Sequence, residues 1–203
     1  KLDPNTARAY AILGAAYLNL GQSLPAIQNL DQSIVLDPSD ADAYYNRGRA
    51  YFSLGIYNLA TVDFDNAIAL MDGHTLAYIG QGNVQLKNGN AAGAIKNFET
   101  AIALQPDFAE AHTDLGLAFL GMVRTISCPD APIPNAPCPP ADQKLLYGKA
   151  MGSFDRAMRI DPNLVSTLNA RGSAYLLFGE YQQALLEFEN AIRLQPLQSD
   201  GYR

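Results

Sequence analysis

The sequence predicts an all-α fold, a solenoid of stacked antiparallel helical hairpins, because one helical unit recurs at a fixed spacing. The period shows in the prolines Pro4, Pro38, Pro106, Pro162 and Pro196. Pro4 to Pro38 is 34 residues, as is Pro162 to Pro196. Pro38 to Pro106 is two such periods, and Pro106 to Pro162 is one period plus 22 residues. A sustained period of this length indicates repeats of one supersecondary unit.

Residues at fixed offsets from each proline support the same register. A glycine stands ten residues on, and the unit that has Asp72 in place of proline keeps it: Gly14, Gly48, Gly82, Gly116 and Gly172. Aromatic and small residues then follow at constant distances, as Tyr17, Ala26 and Leu30 do in the first unit. Their spacing of three or four residues is that of a helix face.

Helix boundaries are marked by glycine and proline. Gly21, Gly55 and Gly179 each follow a large apolar residue and suit the left-handed position that ends a helix. We expect a second helix from about Ser23 to Leu36, with Pro25 in its first turn, where the missing N–H costs little. The proline after that helix disfavours helical angles in the residue before it. Each unit is therefore predicted to be two helices joined by a tight turn.

The register divides the chain into five units within a single array over residues 1–203. The units are 7–40, 41–74, 75–108, 109–164 and 165–198. Lys1 to Thr6 resemble the tail of an earlier unit, and Ser199 to Arg203 resemble the start of a later one. We therefore expect the natural protein to be longer than this chain.

An insertion interrupts the fourth unit near residues 122–145. Its middle is rich in proline and is expected to form a stiff, extended surface loop. Residues 122–127 are expected to lengthen the preceding helix. Asp142 is a candidate N-cap for the next helix, with residues 143–149 extending that helix upstream.

Cys128 and Cys138 both lie in this insertion and leave the compartment open. A disulfide between them would close a short loop and stabilise the fold by about 2–3 kcal/mol, and it would indicate an oxidising, extracytoplasmic compartment. Two free thiols are the alternative and would fit the cytoplasm. A metal site is not indicated, because no histidine or further cysteine lies nearby in sequence.

Composition argues against several classes of function. Charged residues make up 17% of the chain and the net charge is -6, so no basic patch suggests nucleic-acid binding. No apolar run reaches the roughly 18 residues of a membrane span. His112 takes the place of a packed tyrosine in other units, and His74 stands in a turn at a unit boundary. Without a phosphate loop or hydrolase motif, we expect no enzyme activity, no cofactor and no metal.

The order of Tyr10, Leu13, Gly14, Tyr17, Ala26, Leu30 and Pro38, repeated along almost the whole chain, resembles the tetratricopeptide family. The resemblance implies a right-handed superhelical solenoid, or α-α superhelix, that serves as a protein–protein interaction scaffold. The expected partner is a protein or peptide rather than nucleic acid or a membrane.

In that family the outward side of the first helices lines an inner groove, so the resemblance places the partner there. The candidate binding residues are Asp42, Tyr45, Asn46, Arg49, Ile79, Asn83, Thr113, Leu117, Asn169 and Ser173. The alternative for each residue is an ordinary solvated position on a helix. Tyr45 and Arg49 are the pair of most interest, because they lie one helical turn apart and both types are enriched in binding hot spots.

Some family members grip the carboxylate of a chaperone tail with a set of lysine, asparagine and arginine residues on these faces. Only Asn46 matches that set, while Ala11, Ala15, Leu76 and Gly80 depart from it. Binding of a chaperone tail is therefore not expected. Two other functions stay open: a regulatory or substrate-docking segment of a larger enzyme, and self-association into homo-oligomers through uncapped ends.

Overall fold

The computed structural model describes residues 4–125 and 141–194, and these ranges contain helices and turns but no strand. The ten helices within them are α1 (Pro4–Asn19), α2 (Ser23–Leu36), α3 (Ala41–Ser53), α4 (Tyr57–Leu70), α5 (Thr75–Lys87), α6 (Ala91–Leu104), α7 (Ala109–Thr125), α8 (Ala141–Ile160), α9 (Val165–Leu177) and α10 (Tyr181–Leu194). Cys128 and Cys138 lie outside the described residues.

The helices pair in chain order, and the hairpins stack within two compact units, Lys1–Leu104 and Gln105–Arg203. In the first unit α1 packs with α2, α3 with α4, and α5 with α6, while α3 also contacts α1 and α2, and α5 contacts α3 and α4. In the second unit α7 packs with α8 and α9 with α10, and α9 also contacts α7 and α8. The predicted all-α fold of stacked antiparallel hairpins is confirmed.

Each hairpin closes where a glycine of its first helix faces a large side chain of its second. A methyl group added to Gly48 would lie 2.8 Å from the Phe64 ring, which is closer than two carbon atoms can approach. The same crowding is seen for the other glycines at this offset: Gly14, Gly82, Gly116 and Gly172. Phe64 is 1% exposed, and burying such a ring contributes roughly 1.5–3 kcal/mol.

The turn after α3 shows how the first helices end. Gly55 has φ +74°, in the left-handed region that favours glycine. The N–H of Gly55 donates to the carbonyl of Phe52, and the N–H of Ile56 donates to the carbonyl of Tyr51. This pair of bonds is a Schellman cap, which satisfies two carbonyls at the helix end. The predicted glycine stops are confirmed here and at Gly21 and Gly179.

One predicted helix start is wrong. Asp142 is the predicted N-cap of the helix after the insertion, but α8 begins at Ala141, which places Asp142 inside its first turn. The first helix, α1, begins at Pro4, and proline is well tolerated in a first helical turn. The assignment of residues 1–6 to an earlier repeat stays a prediction. The predicted lengthening is confirmed for residues 122–125 of α7 and for residues 143–149 of α8, while residues 126 and 127 lie outside the described residues.

An arginine of the first helix ties neighbouring hairpins together in both units. Arg47 donates to Asp63 of its own hairpin at 2.7 and 2.8 Å, and to Asp31 of the preceding hairpin at 2.7 Å. Arg171 makes the same two links, to Glu187 at 2.8 Å and to Asp155 at 2.9 Å. The hydrogen bonds with Asp63 raise the pKa of Arg47 above its ordinary value. These ties fix how α3 and α9 sit against the preceding hairpin.

Candidate functional site

The first unit contains a cleft of about 530 Å³ between the exposed sides of α3 and α5. Its lining residues are Leu18, Gly21, Ser23, Tyr45, Arg49, Phe52, Ser53, Leu54, Phe64, Leu76, Ile79, Gly80 and Asn83. Those on α3 and on α5 recur at intervals of three and four residues, so each helix presents one face to the cleft. A volume of this size lies in the usual range for ligand pockets, about 300–1,000 Å³.

Tyr45 lines the cleft from α3. Its ring centroid lies 6.0 Å from that of Phe64 and 5.0 Å from that of His74, so aromatic neighbours support it from behind. Burial raises the pKa of the Tyr45 hydroxyl above its ordinary value, with a smaller opposing effect from Arg49. The side chain therefore presents a neutral hydroxyl and a fixed aromatic surface at neutral pH.

Arg49 lies one turn further along α3 and contributes a positive charge to the cleft. Its guanidinium lies 5.7 Å from the Tyr45 ring centroid, within the range of a cation–π contact. One nitrogen, Nη1, donates to Oδ1 of Asn46 at 3.2 Å. A guanidinium has five N–H donors, so this bond leaves others able to meet a ligand.

His74 supports the cleft in a way that the sequence did not indicate. It is the N-cap of α5, where its Nδ1 accepts the N–H of Ala77 at 3.2 Å. Because Nδ1 accepts, we assign the ring proton to Nε2, which lies 3.2 Å from Oδ1 of Asp42. His74 is 6% exposed, so this buried ring fixes the start of α5 against the Tyr45 side of α3.

Six of the ten predicted binding residues belong to the first unit. Tyr45, Arg49, Ile79 and Asn83 line the cleft. Ile79 is only 9% exposed and forms part of the wall rather than a projecting anchor. Asp42 and Asn46 do not line the cleft, and they contact His74 and Arg49 instead.

The other four belong to the second unit, and the structure corrects one of them. Thr113 is 2% exposed, because its hydroxyl donates to the carbonyl of Ala109 and shares a 2.7 Å hydrogen bond with Thr167. It is therefore not accessible to a partner. Leu117, Asn169 and Ser173 are exposed on α7 and α9.

His112 is a packed residue, as the sequence predicted. It is 8% exposed and its Nε2 lies 2.9 Å from the carbonyl oxygen of Pro106. The imidazole thus links the start of α7 to the turn before it, and burial leaves it no route to a ligand.

Several residues that line the cleft were not among the predicted ones. Leu18, Phe52 and Leu54 lie near the ends of first helices, within three residues of a glycine stop. The sequence marks them as apolar but gives no sign that they line a cleft. Gly80 lines the cleft with backbone alone. A methyl group there would lie 2.6 Å from the Phe64 ring, so α5 passes very close to α4 at this point. A single glycine in a helix pattern does not reveal such a contact in advance.

Within residues 4–125 and 141–194, no helix is long and apolar enough to cross a membrane. Over the same ranges, the histidine, aspartate and glutamate side chains form no group of three that could hold a metal ion.

Two family models match the chain. One, described as "TPR repeat", matches residues 25–55 and 82–123, and the other, "Tetratricopeptide repeat", matches residues 41–70 and 165–196. Together they cover more than half of the chain. No curated protein matches the sequence.

Solved structures show the same fold. A thermophilic TPR protein from Thermus thermophilus aligns with a TM-score of 0.75 and 18% identity, over 96% of this chain and 94% of its own. MamA from Desulfovibrio magneticus RS-1 aligns with a TM-score of 0.69 and 22% identity, over 98% of this chain and 99% of its own. The first TPR domain of Spaghetti (RPAP3), solved with the HSP90 peptide SRMEEVD, aligns with a TM-score of 0.57 and 27% identity, over 59% of this chain and 98% of its own.

Proposed function

Because the chain belongs to the tetratricopeptide repeat family, we propose that it is an interaction scaffold that binds a peptide segment of a partner protein in the cleft between α3 and α5. Proteins of this family are generally non-enzymatic scaffolds, and we propose no catalytic step here. The residues exposed on α7 and α9, namely Leu117, Asn169 and Ser173, are proposed as further contacts to the partner.

The observation that carries this proposal is the composition of the cleft wall. Tyr45 buries a large surface at low entropy cost, and Arg49 offers a forked donor for carboxylate or carbonyl groups. Both side chains project from one turn of the same helix, and His74 and Phe64 pack against Tyr45. Tyrosine and arginine are enriched among binding hot spots. Because neighbouring side chains already hold them in place, little conformational entropy is lost on binding.

The solved peptide complex of the RPAP3 domain supports binding of a peptide in general, but not of that peptide here. The residues of this chain at the positions that grip a chaperone tail include Ala11, Ala15 and Gly80, which carry no charge. We expect SRMEEVD to bind this chain far more weakly than it binds the RPAP3 domain, because the charged residues that would grip its terminal carboxylate are missing here. Isothermal titration with both proteins checks this, and tight binding to this chain would contradict it.

The proposed function is tested by capture of a partner with the intact protein, identification by mass spectrometry, and measurement of its affinity. We expect Tyr45→Ala/Arg49→Ala to weaken binding by about 30-fold or more, since truncating a hot spot costs about 2 kcal/mol. Asn58→Ala, on the exposed side of α4, is the control and is expected to bind as the wild type does. Equal affinity for all three proteins would place the partner elsewhere.

Self-association is a second candidate, and the surface of α10 favours it. Ile192 is 66% exposed, whereas Ile34, at the same offset in the first unit, is 9% exposed. Tyr181 and Leu185 extend this apolar face, with exposures of 68% and 55%. A second copy covering the face would make the molecular mass depend on concentration. Light scattering over a hundredfold concentration range checks this, and a constant monomer mass would exclude it.

A further inference from the structure

The floor of the cleft at Gly80 is closed by an aromatic ring. A methyl group at Gly80 would lie 2.6 Å from the Phe64 ring, so that ring fills the place where a side chain would stand. Leu76, one turn earlier on α5, also lines the cleft and is 39% exposed although it is apolar. A ligand side chain seated over Gly80 would contact the α5 backbone below and Leu76 beside it.

The walls of the cleft around Gly80 are suited to a large apolar side chain. Tyr45 lines the cleft from α3 and Ile79 from α5, while Phe52 and Leu18 continue the apolar surface. Covering such a surface with an aromatic or branched aliphatic group gains about 25 cal/mol per Å² of apolar area removed from water. Of the polar lining groups, Ser53 donates to the carbonyl of Ala50 and shares a 2.6 Å hydrogen bond with Ser23. The Ser23 oxygen keeps acceptor capacity for a peptide N–H.

The charge of the cleft favours an acidic group on the ligand next to that apolar side chain. Arg49 is the one charged residue among the lining residues, and it lies in a chain whose net charge is -6. A guanidinium forms its strongest hydrogen bonds with carboxylates. A second arginine or lysine on the ligand would instead meet like charge at close range. The cleft is therefore complementary to a carboxylate although the whole chain is acidic.

The spacing between the apolar and the acidic residue of the ligand follows from the distance between Tyr45 and Arg49 on α3. Tyr45 and Arg49 are four residues apart, which is about 6 Å along the axis of α3 at about 1.5 Å per residue. An extended peptide rises about 3.3 Å per residue, so the same distance spans about two of its residues.

We propose that the cleft recognises an extended peptide with a large apolar side chain, seated at Gly80 beside Tyr45, and an aspartate or glutamate one or two residues away, bound to Arg49. This inference rests on the proposed function, because it names the ligand class for the same cleft. It differs from a grip on a terminal carboxylate, since the acidic group here is a side chain within the segment.

The test is selection of a random dodecapeptide library, displayed on phage, on the full chain. Wild-type protein is expected to enrich peptides with an acidic residue within two positions of an aromatic or large aliphatic one. Arg49→Glu is expected to replace the acidic residue with lysine or arginine at the same place. Asn58→Glu introduces a glutamate on α4 as a control and is expected to keep the wild-type pattern. Arg49 is exposed, so its replacement leaves the core intact, which a thermal melt verifies.

Binding of one enriched peptide then separates this inference from the proposed function. Changing its acidic residue to the neutral amide is expected to weaken binding to the wild type by about tenfold, and to leave binding to Arg49→Glu unchanged or tighter. Acidic enrichment that persists with Arg49→Glu would overturn the inference alone, provided that Tyr45→Ala/Arg49→Ala still abolishes binding. Wild-type affinity of that double variant, or a library that yields no enriched peptide, would overturn both.

Discussion

Single residues set how closely the helices of a hairpin approach each other. Ala60 and Ala94 are fully buried, each on a second helix that faces a first-helix glycine. The carbonyl oxygen of Ala60 would lie 3.3 Å from a methyl group on Gly48, so no free space separates α3 from α4 there. A larger side chain at either alanine must push the helices apart.

We expect Ala60→Leu and Ala94→Leu each to lower the free energy of unfolding by about 1–3 kcal/mol, the usual effect of overpacking a core. Urea denaturation followed by circular dichroism measures this, with Asn58→Leu on the exposed side of α4 as the control for leucine itself. An unchanged midpoint in either alanine variant would show that the position is not a helix contact.

The two ion pairs of Arg47 allow the contribution of a buried carboxylate to stability to be compared with that of an exposed one. The Asp63 side chain is 2% exposed, whereas that of Asp31 is 44% exposed. Arg47→Met leaves the Asp63 carboxylate buried without its counter-charge, which typically costs about 3–5 kcal/mol. Asp31→Asn removes the exposed partner and is expected to cost no more than about 1 kcal/mol.

Urea denaturation of Arg47→Met, Asp31→Asn and the double variant Arg47→Met/Asp63→Leu checks this. The double variant is expected to recover most of the stability that Arg47→Met loses, because it removes the buried charge as well. A loss for Arg47→Met no larger than that for Asp31→Asn would contradict the account of the tie.

At the scale of helices, the sequence predicts helix boundaries well where a nearby glycine or proline determines them. The predicted second helix from Ser23 to Leu36 agrees with α2, because a turn glycine and a proline bound it. The sequence does not decide whether the residues seven positions after each proline are buried or exposed, because they lie on the border of the buried helix face. Tyr45 lines the cleft, Thr113 is buried by its bond to Thr167, and Asn169 is exposed. Contacts from neighbouring helices, which the repeat pattern does not encode, decide between these outcomes.

The insertion in the fourth hairpin leaves the pairing of α7 and α8 intact. The Phe154 ring of α8 lies against Gly116 of α7, where a methyl group would come within 2.4 Å of it, and Ala150 and Ala157 are fully buried. These contacts all lie outside residues 128–140. We therefore expect replacement of 128–140 by a short glycine–serine linker to leave cooperative thermal unfolding, with a midpoint within a few degrees of the wild type. Loss of the cooperative transition would mean that the segment packs into the fold.

At the scale of the whole molecule, the structure shows two compact units, while the register of five repeats in one array over residues 1–203 stays a prediction. The cleft lies entirely in the first unit, so the proposed binding of a peptide needs only α1 to α6 for its main contacts. Six of the ten predicted residues belong to the first unit and four to the second, and the repeat pattern treats them alike.

The central claim is that a partner peptide lies in the cleft between α3 and α5, and site-specific photocrosslinking tests it most directly. Leu76 is replaced by p-benzoylphenylalanine in the full chain, and Asn58 is replaced in the same way as a control on α4. With the captured partner bound, irradiation is expected to crosslink through position 76 to one short segment of the partner, and to give no crosslink through position 58. Equal crosslinking at both positions, or none at 76 while the partner stays bound, would contradict the account.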